Sequence, residues 1–300
     1  MSKKEIAVIG GDERALYAAK RLCREGYACR LYALGEGKNP CCEGFEKGSC
    51  QAPYLLRETL EGALCALLPI PLTRDGKTLN APRLSAPLPL GQLLSQIPKD
   101  LPLVCGGGVQ YFEGHGAPVA DLLEDEEFTK KNALPTAEGA LALAVMHHPS
   151  VLKSSSCGVL GYGAIGGELA RLLKNAGAQV HVFARRPESR ALARQNGVDA
   201  SPFEALGEAL SRLDLIFNTV PAPVMPEERL DALQSDALYI ELASKPFGMA
   251  EGARGRLSCK HLFAQGLPGK YAPAYAGALI GEKILSLIKQ EGVGTAFIKT

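Results

Sequence analysis

The chain has 300 residues, 33 Lys and Arg against 32 Asp and Glu (net charge +1), and is 46% hydrophobic. That apolar content supplies a core and excludes a disordered polypeptide, while the charge balance excludes a nucleic-acid binder working through a broad basic face. The length suits one large domain or two ordinary ones.

Glu5-Ile6-Ala7-Val8-Ile9 is an apolar strand, followed by the turn Gly10-Gly11-Asp12 and a helix to about Arg24. A second strand is expected over about 27–33, so the chain opens as a βαβ arrangement. The first apolar run is too short for a signal-peptide core. No stretch reaches the about 18 apolar residues that a spanning helix needs, so no membrane association is expected. Residues 35–53 read as a long loop rich in Gly, Pro and Cys. The nine cysteines are an odd count, which suits free thiols better than a disulfide framework. Cys41-Cys42 with Cys50 makes no CxxC and has no His nearby, so no metal site is expected there.

Further buried strands are expected over 63–68 and 101–105. Breakers follow each: Pro69, Pro71 and Asp75-Gly76 after one, Gly106-Gly107-Gly108 after the other. The acidic stretch 121–127 reads as a solvated helix face, and the organisation changes at Pro135. A helical run of small and apolar residues follows over 136–148, with Glu138 near its positive end.

The strand Cys157-Gly158-Val159-Leu160 leads into Gly161-Tyr162-Gly163-Ala164-Ile165-Gly166, then a helix to Asn175, then a strand over 179–183. This is GxGxxG in its strand–turn–helix–strand setting. The glycines permit a tight turn and close approach of a pyrophosphate to the helix N-terminus. The second strand runs into Ala184-Arg185-Arg186, with Ala184 where an NAD site usually carries Asp or Glu. A guanidinium offers charge-assisted donors to a 2′-phosphate, so NADP is expected ahead of NAD. Two more strand ends, Asn218-Thr219-Val220-Pro221 and Ala243-Ser244-Lys245-Pro246, lie where open parallel sheets bind ligands. The last helix, over about 274–289, is amphipathic and able to pack back on the first half.

The expected architecture is α/β, with two Rossmann-like doubly wound domains. Residues 1–133 form a substrate or partner domain with a degenerate turn, since Arg14 stands where the fingerprint wants its third glycine. Residues 134–271 form the dinucleotide-binding domain, and 272–300 rejoin the N-terminal one.

Several phrases together resemble the A subunits of dipicolinate synthase. They are Ile9-Gly10-Gly11-Asp12 with Arg14, Pro135-Thr136-Ala137-Glu138-Gly139 with His147, and the Gly161–Gly166 fingerprint. Asn218-Thr219-Val220-Pro221, Leu242-Ala243-Ser244-Lys245-Pro246 and Gly266-Leu267-Pro268-Gly269-Lys270-Tyr271-Ala272-Pro273 complete the set. The resemblance is strong from about Leu134 to Gly281 and thinner before it; the Cys41–Cys50 loop is not part of the pattern. It implies an NADP-linked oxidoreductase of the mother-cell cytoplasm of a sporulating bacterium, acting with a flavoprotein-like B subunit in a homo- or hetero-oligomer. The reaction it implies aromatises a cyclic dicarboxylate of the lysine pathway to pyridine-2,6-dicarboxylate.

That chemistry needs a hydride acceptor, cationic or N–H groups for two carboxylates, and a proton acceptor. Lys245 and Lys270 are candidates for the carboxylates, with Thr136 and a backbone nest at Gly106-Gly107-Gly108; Arg74, in the Pro-rich loop of the first unit, is a further candidate. Glu138 or His147 are candidate bases, but nine positions apart on one helix they stand about two and a half turns from each other. His115, His148, His181 and His261 have no motif support. Other readings are a shikimate-dehydrogenase-like enzyme without its recognisable Lys–Asp pair, a 2-hydroxyacid dehydrogenase without its Arg, Glu and His set, and a non-catalytic NADP-binding scaffold protein.

Overall fold

A computed structural model of the chain describes residues 4–35, 45, 49–52 and 55–291. The described residues form two compact units, one ending at Lys131 and resuming at Ala272, the other spanning Asn132–Tyr271.

The first unit contains β1 (Glu5–Ile9), α1 (Glu13–Arg24), β2 (Ala28–Tyr32), β3 (Cys50–Gln51), α2 (Leu56–Leu60), β4 (Ala66–Leu67), α3 (Leu90–Leu94), β5 (Leu103–Cys105) and β6 (Val119–Asp121). A long helix, α4 (Glu126–His147), follows. The second unit continues with β7 (Ser156–Leu160), α5 (Ala164–Asn175), β8 (Gln179–Phe183), α6 (Pro187–Gln195), β9 (Asp199–Ser201), α7 (Leu206–Ala209), β10 (Leu215–Asn218), β11 (Leu238–Glu241), β12 (Lys260–Phe263) and α8 (Leu267–Tyr271). The last helix, α9 (Pro273–Glu291), belongs to the first unit.

Each unit carries one six-stranded sheet, ordered β3-β2-β1-β4-β5-β6 in the first and β9-β8-β7-β10-β11-β12 in the second. Every neighbouring pair is parallel. This is the doubly wound 3-2-1-4-5-6 order, twice over, and in each sheet it reverses between the first and fourth strands. The central strands read as continuous apolar runs because parallel sheets are covered on both faces. Ile6, Ala7, Val8 and Ile9 are all buried, as are Val159, Leu160, Ile216 and Phe217.

α9 packs along α1, as the amphipathic pattern suggested, but glycine decides how closely. A methyl at Gly277 would stand 2.5 Å from the Arg14 carbonyl oxygen and the Tyr17 Cβ. At Gly281 it would lie 2.9 Å from the Arg21 Cβ. These two glycines, one turn apart, let the helix backbones meet, and Ile280 and Ile284 fill the core beside them. Lys283 adds a 2.5 Å ion pair to Asp125.

Several expected boundaries move. The strands foreseen over 63–68 and 101–105 shorten to β4 and β5. β3 forms inside the stretch read as loop, because Cys50 and Gln51 find an unpaired edge on β2. The change of organisation expected at Pro135 falls at Asn132, where the second unit begins, but inside α4 rather than between elements. A proline removes one helical N–H, and the neighbouring Thr136 hydroxyl donates to the Asn132 carbonyl at 3.1 Å. The acidic stretch starts this helix: Asp125 accepts from the Phe128 N–H at 2.8 Å. Glu126 and Glu127 pair with Lys130 and Lys131 one turn on.

Candidate functional site

In the second unit the residues singled out from the sequence, His147 apart, gather at the carboxyl ends of the strands. The turn after β7 has Gly161 at φ +95°, and a methyl there would lie 2.5 Å from the Thr219 hydroxyl oxygen. At Gly166 a methyl would stand 2.3 Å from the Gly161 carbonyl oxygen, so α5 starts pressed against the turn. Gly163 differs: it caps α5 with no side-chain hydrogen bond, and a methyl on it would meet nothing within 4 Å. Gly163 and Ala164 are exposed. Among the described residues the first N–H groups of this helix thus have no side-chain cap, the arrangement that receives a phosphate. Tyr162 is held sideways by the Asn196 side-chain amide, which donates to its hydroxyl at 3.0 Å.

After β8, Ala184 is buried and Arg185 and Arg186 are exposed. Among the described residues neither guanidinium has a hydrogen-bond or ion-pair partner. Arg190, by contrast, is turned back onto the Ala184 and Arg185 carbonyls at 2.8 and 2.6 Å. The two arginines are thus free cations next to the turn.

The strand ends of β10 and β11 are locked by a network that sequence reasoning missed. Glu241, 1% exposed, accepts from the Asn218 amide at 2.6 Å and the Tyr239 hydroxyl at 2.9 Å. It also accepts from the backbone N–H of Gly248 at 2.9 Å and of Ala243 at 3.2 Å. Nothing in the chain marked Glu241, because a lone acid ending an apolar strand has no motif. Thr219 donates to the Leu160 carbonyl at 2.7 Å, joining this end of the sheet to the glycine turn. Val220 and Pro221 follow on the surface side, and Ser244 and Lys245 are exposed.

The middle and the last turn of α4 part company. Gly139 packs against α8, where a methyl would lie 3.1 Å from Leu267 and Tyr271. The Thr136–Gly139 and Gly266–Tyr271 phrases therefore adjoin at the carboxyl end of β12. Thr136 is buried with its hydroxyl spent on Asn132, whereas Glu138 and Lys270 are exposed. His147 lies at the opposite end: its Nδ1 accepts from the Lys260 ammonium at 3.1 Å, and Lys260 begins β12. Parallel strands put that position on the amino side of the sheet, away from the glycine turn. The expectation that His147 serves as a base is corrected on this ground.

In the first unit, Gly106-Gly107-Gly108 does not form an open nest. The Gly107 N–H is taken by the Asp121 carboxylate at 2.9 Å, and the Gly106 carbonyl accepts from Leu72. The glycines answer to packing instead, since a methyl at Gly106 would stand 2.5 Å from Ile70 and one at Gly108 2.7 Å from Leu72. Arg74 is exposed and is steadied by the Asn80 side-chain oxygen at 3.1 Å.

Cys41 and Cys42 lie outside the described residues. Cys50, in β3, stands in register with Cys29 of β2. The Cys29 thiol is held well above its ordinary pKa by the adjoining Cys23 thiol and by burial. Among the described residues no group of three or more His, Cys, Asp and Glu side chains is placed to hold a metal ion. A concavity of about 750 Å³ in the second unit runs along β8 and β9. His181 lines it, with its pKa lowered by burial. Among the described residues no helix is long and apolar enough to cross a membrane.

Comparison with known proteins agrees with this layout. Residues 5–115 match the family described as the N-terminal domain of the dipicolinate synthase A subunit. Residues 136–244 match the D-isomer specific 2-hydroxyacid dehydrogenase NAD binding domain. The chain is 27% identical to the dipicolinate synthase A subunit of Bacillus subtilis, over 95% of its own length and 96% of that protein. The crystal structure of the same subunit from Bacillus halodurans superimposes with a TM-score of 0.82 at 25% identity, covering 95% of this chain and 97% of that one. The crystal structure of the Bacillus subtilis protein has the same fold, with a TM-score of 0.81 at 24% identity, covering 97% and 98%. The second unit is thus a dehydrogenase-type dinucleotide-binding domain on an oxidoreductase fold.

Proposed function

Since the chain resembles the dipicolinate synthase A subunit of Bacillus subtilis over almost all of its length, we propose that it plays the same part in such a synthase. In this reading it carries out an NADP-linked oxidation of a dihydrodipicolinate-type intermediate of the lysine pathway to pyridine-2,6-dicarboxylate in the sporulating mother cell. The observation that carries the cofactor assignment is the open, uncapped glycine turn at Gly163 beside two unpaired guanidiniums, Arg185 and Arg186. The turn and the first N–H groups of α5 receive the pyrophosphate, and the arginines take the 2′-phosphate. Bound there, the nicotinamide supplies a hydride acceptor.

Aromatising a dihydropyridine removes one hydride and one proton from the ring. Glu138, exposed in the stretch of α4 that adjoins α8, is the group assigned to accept that proton. Lys270, on the neighbouring α8, and Lys245, after β11, present ammonium groups to the two substrate carboxylates. Thr219, Val220, Pro221, Ala243 and Ser244 line the cofactor from the far side of the glycine turn, and Asn218, expected among them, is buried behind the turn. A flavoprotein-like B subunit completes the hetero-oligomer in this proposal.

A second reading is favoured by one observation: among the described residues Glu138 has no hydrogen-bond or ion-pair partner to orient it, unlike most catalytic bases. In that reading the chain binds NADP and shapes a site whose base the partner supplies. The purified chain, alone and with the partner, is to be assayed for NADPH formation on freshly prepared lysine-pathway intermediate. Absence of a pyridine dicarboxylate in both cases rejects the synthase assignment. Where turnover is seen, Glu138→Gln should abolish it at unchanged NADP affinity; unchanged turnover hands the chemistry to the partner.

A further inference from the structure

Asn218 and Glu241 end adjacent parallel strands and are register partners. Both are buried, at 0% and 1% exposure. The Asn218 amide donates to Glu241 at 2.6 Å and to the Val220 carbonyl at 2.9 Å, while its oxygen accepts from the Val220 N–H at 3.1 Å. Glu241 also gathers the N–H groups of Ala243 and Gly248 and the Tyr239 hydroxyl. The fit is tight: a methyl on Gly248 would stand 2.3 Å from the Asn218 amide nitrogen and 2.8 Å from the Tyr239 hydroxyl.

Among the described residues no Lys or Arg pairs with this carboxylate, so only neutral donors balance a buried charge. A sheet end closed purely for stability has cheaper solutions, because a buried ionised group loses hydration that apolar packing does not. What this carboxylate achieves is geometric. One side chain fixes two turns, 218–221 and 243–248, that leave the sheet next to each other. Those turns stand on the opposite side of the β7 turn from β8. With the pyrophosphate at the β7 turn and the adenosine ribose at the end of β8, they border the nicotinamide half of a dinucleotide.

We propose that Glu241 is a positioning residue for the dinucleotide: through Asn218 and Gly248 it sets the spacing of the two turns that hold the nicotinamide end. This rests on the dinucleotide site proposed above and is independent of the substrate assigned there. A carboxylate accepts from four donors, and the corresponding amide cannot. In Glu241→Gln the Tyr239 hydroxyl can rotate to accept from the new N–H₂, but the Gly248 backbone N–H and the Asn218 amide cannot both keep an acceptor.

The test is titration of the full-length chain with NADPH and with NADH, followed by their fluorescence, alongside thermal unfolding. Glu241→Gln should weaken NADPH binding about tenfold or more, and Tyr239→Phe about two- to threefold, as donors are lost singly or together. Leu215→Ala, at the amino end of β10, is the control: it should lower Tm yet hold affinity within about twofold. Glu241→Gln that binds like the unmodified chain while losing stability as Leu215→Ala does would overturn the proposal. If Glu241→Gln yields no folded chain, Tyr239→Phe decides. Weaker binding than Leu215→Ala supports the role, and equal binding removes it. An unmodified chain that binds neither NADPH nor NADH takes down the dinucleotide site and this inference with it.

Discussion

The two units repeat one strand order, yet their first βα turns are built to opposite ends. In the first, Gly10 and Gly11 turn at φ +60° and +93°, and the Asp12 carboxylate caps α1, accepting from the Arg14 N–H at 3.1 Å. Arg14 folds back on that carboxylate at 2.8 Å and also reaches the Ile70 carbonyl. Leu79 and Pro69 press on Gly10, where a methyl would lie 2.8 Å from Leu79. The helix end already holds its anion, and a phosphate would meet a like charge in a filled space. In the second unit the equivalent position, Gly163, has no side chain to offer and open space in front of it. The lesson is that strand, glycine and helix make the turn, while the residue at the cap decides whether it binds the chain's own carboxylate or a ligand's phosphate.

That contrast can be broken experimentally. Gly166→Ala drives a methyl to 2.3 Å from the Gly161 carbonyl. It should cost about two orders of magnitude in NADPH affinity, about 2.7 kcal/mol; retention within about threefold would reject the turn as the pyrophosphate site. Asp12→Ala removes a helix cap and strands a buried guanidinium, at about 2–4 kcal/mol in chemical denaturation. It should leave NADPH affinity alone, and a joint loss would mean that the first turn also binds cofactor. Arg185→Ala should weaken NADPH about tenfold with little effect on NADH, the value of one charge-assisted contact; equal losses would move the 2′-phosphate elsewhere.

The smallest effect is shared by both units. Cys105 and Cys157 are each pushed up to about 12 by burial, with Asp121 and Glu124 adding at Cys105 and Asp214 at Cys157. A thiol whose folded value exceeds its unfolded one of about 8.5 stabilises fully below that pH and loses its contribution as pH rises toward the folded value. Cys157→Ala should therefore flatten stability against pH above about 8.5. Both thiols should also resist iodoacetamide in the folded protein at mildly alkaline pH. Alkylation there without unfolding would show that they are open to solvent.

Much of the second unit was legible in the sequence because its signals are local. GxGxxG between a strand and a helix needs only neighbours along the chain, and so does the amphipathic pattern of α9. The first unit was read less completely. β3 is two residues long and exists only because β2 offers an edge. The triple glycine reads like a ligand loop until Ile70, Leu72 and Asp121 are brought beside it. His147 and Glu138 share a helix and a family phrase, but helix rise sends them to opposite ends of the sheet.

The sequence by itself determined the α/β class, the glycine turn and the cationic pair Arg185-Arg186 at the end of the next strand. Each depends on spacing within about 25 residues, where covalent geometry and side-chain periodicity dominate. Only the tertiary structure decided that Asp12 closes the first turn, that Asp121 fills the Gly107 N–H, and that Glu241 ties two strand ends together. Those choices depend on which donor meets which buried acceptor across strands, and a buried polar group takes the partner that the fold, not the sequence, sets within reach.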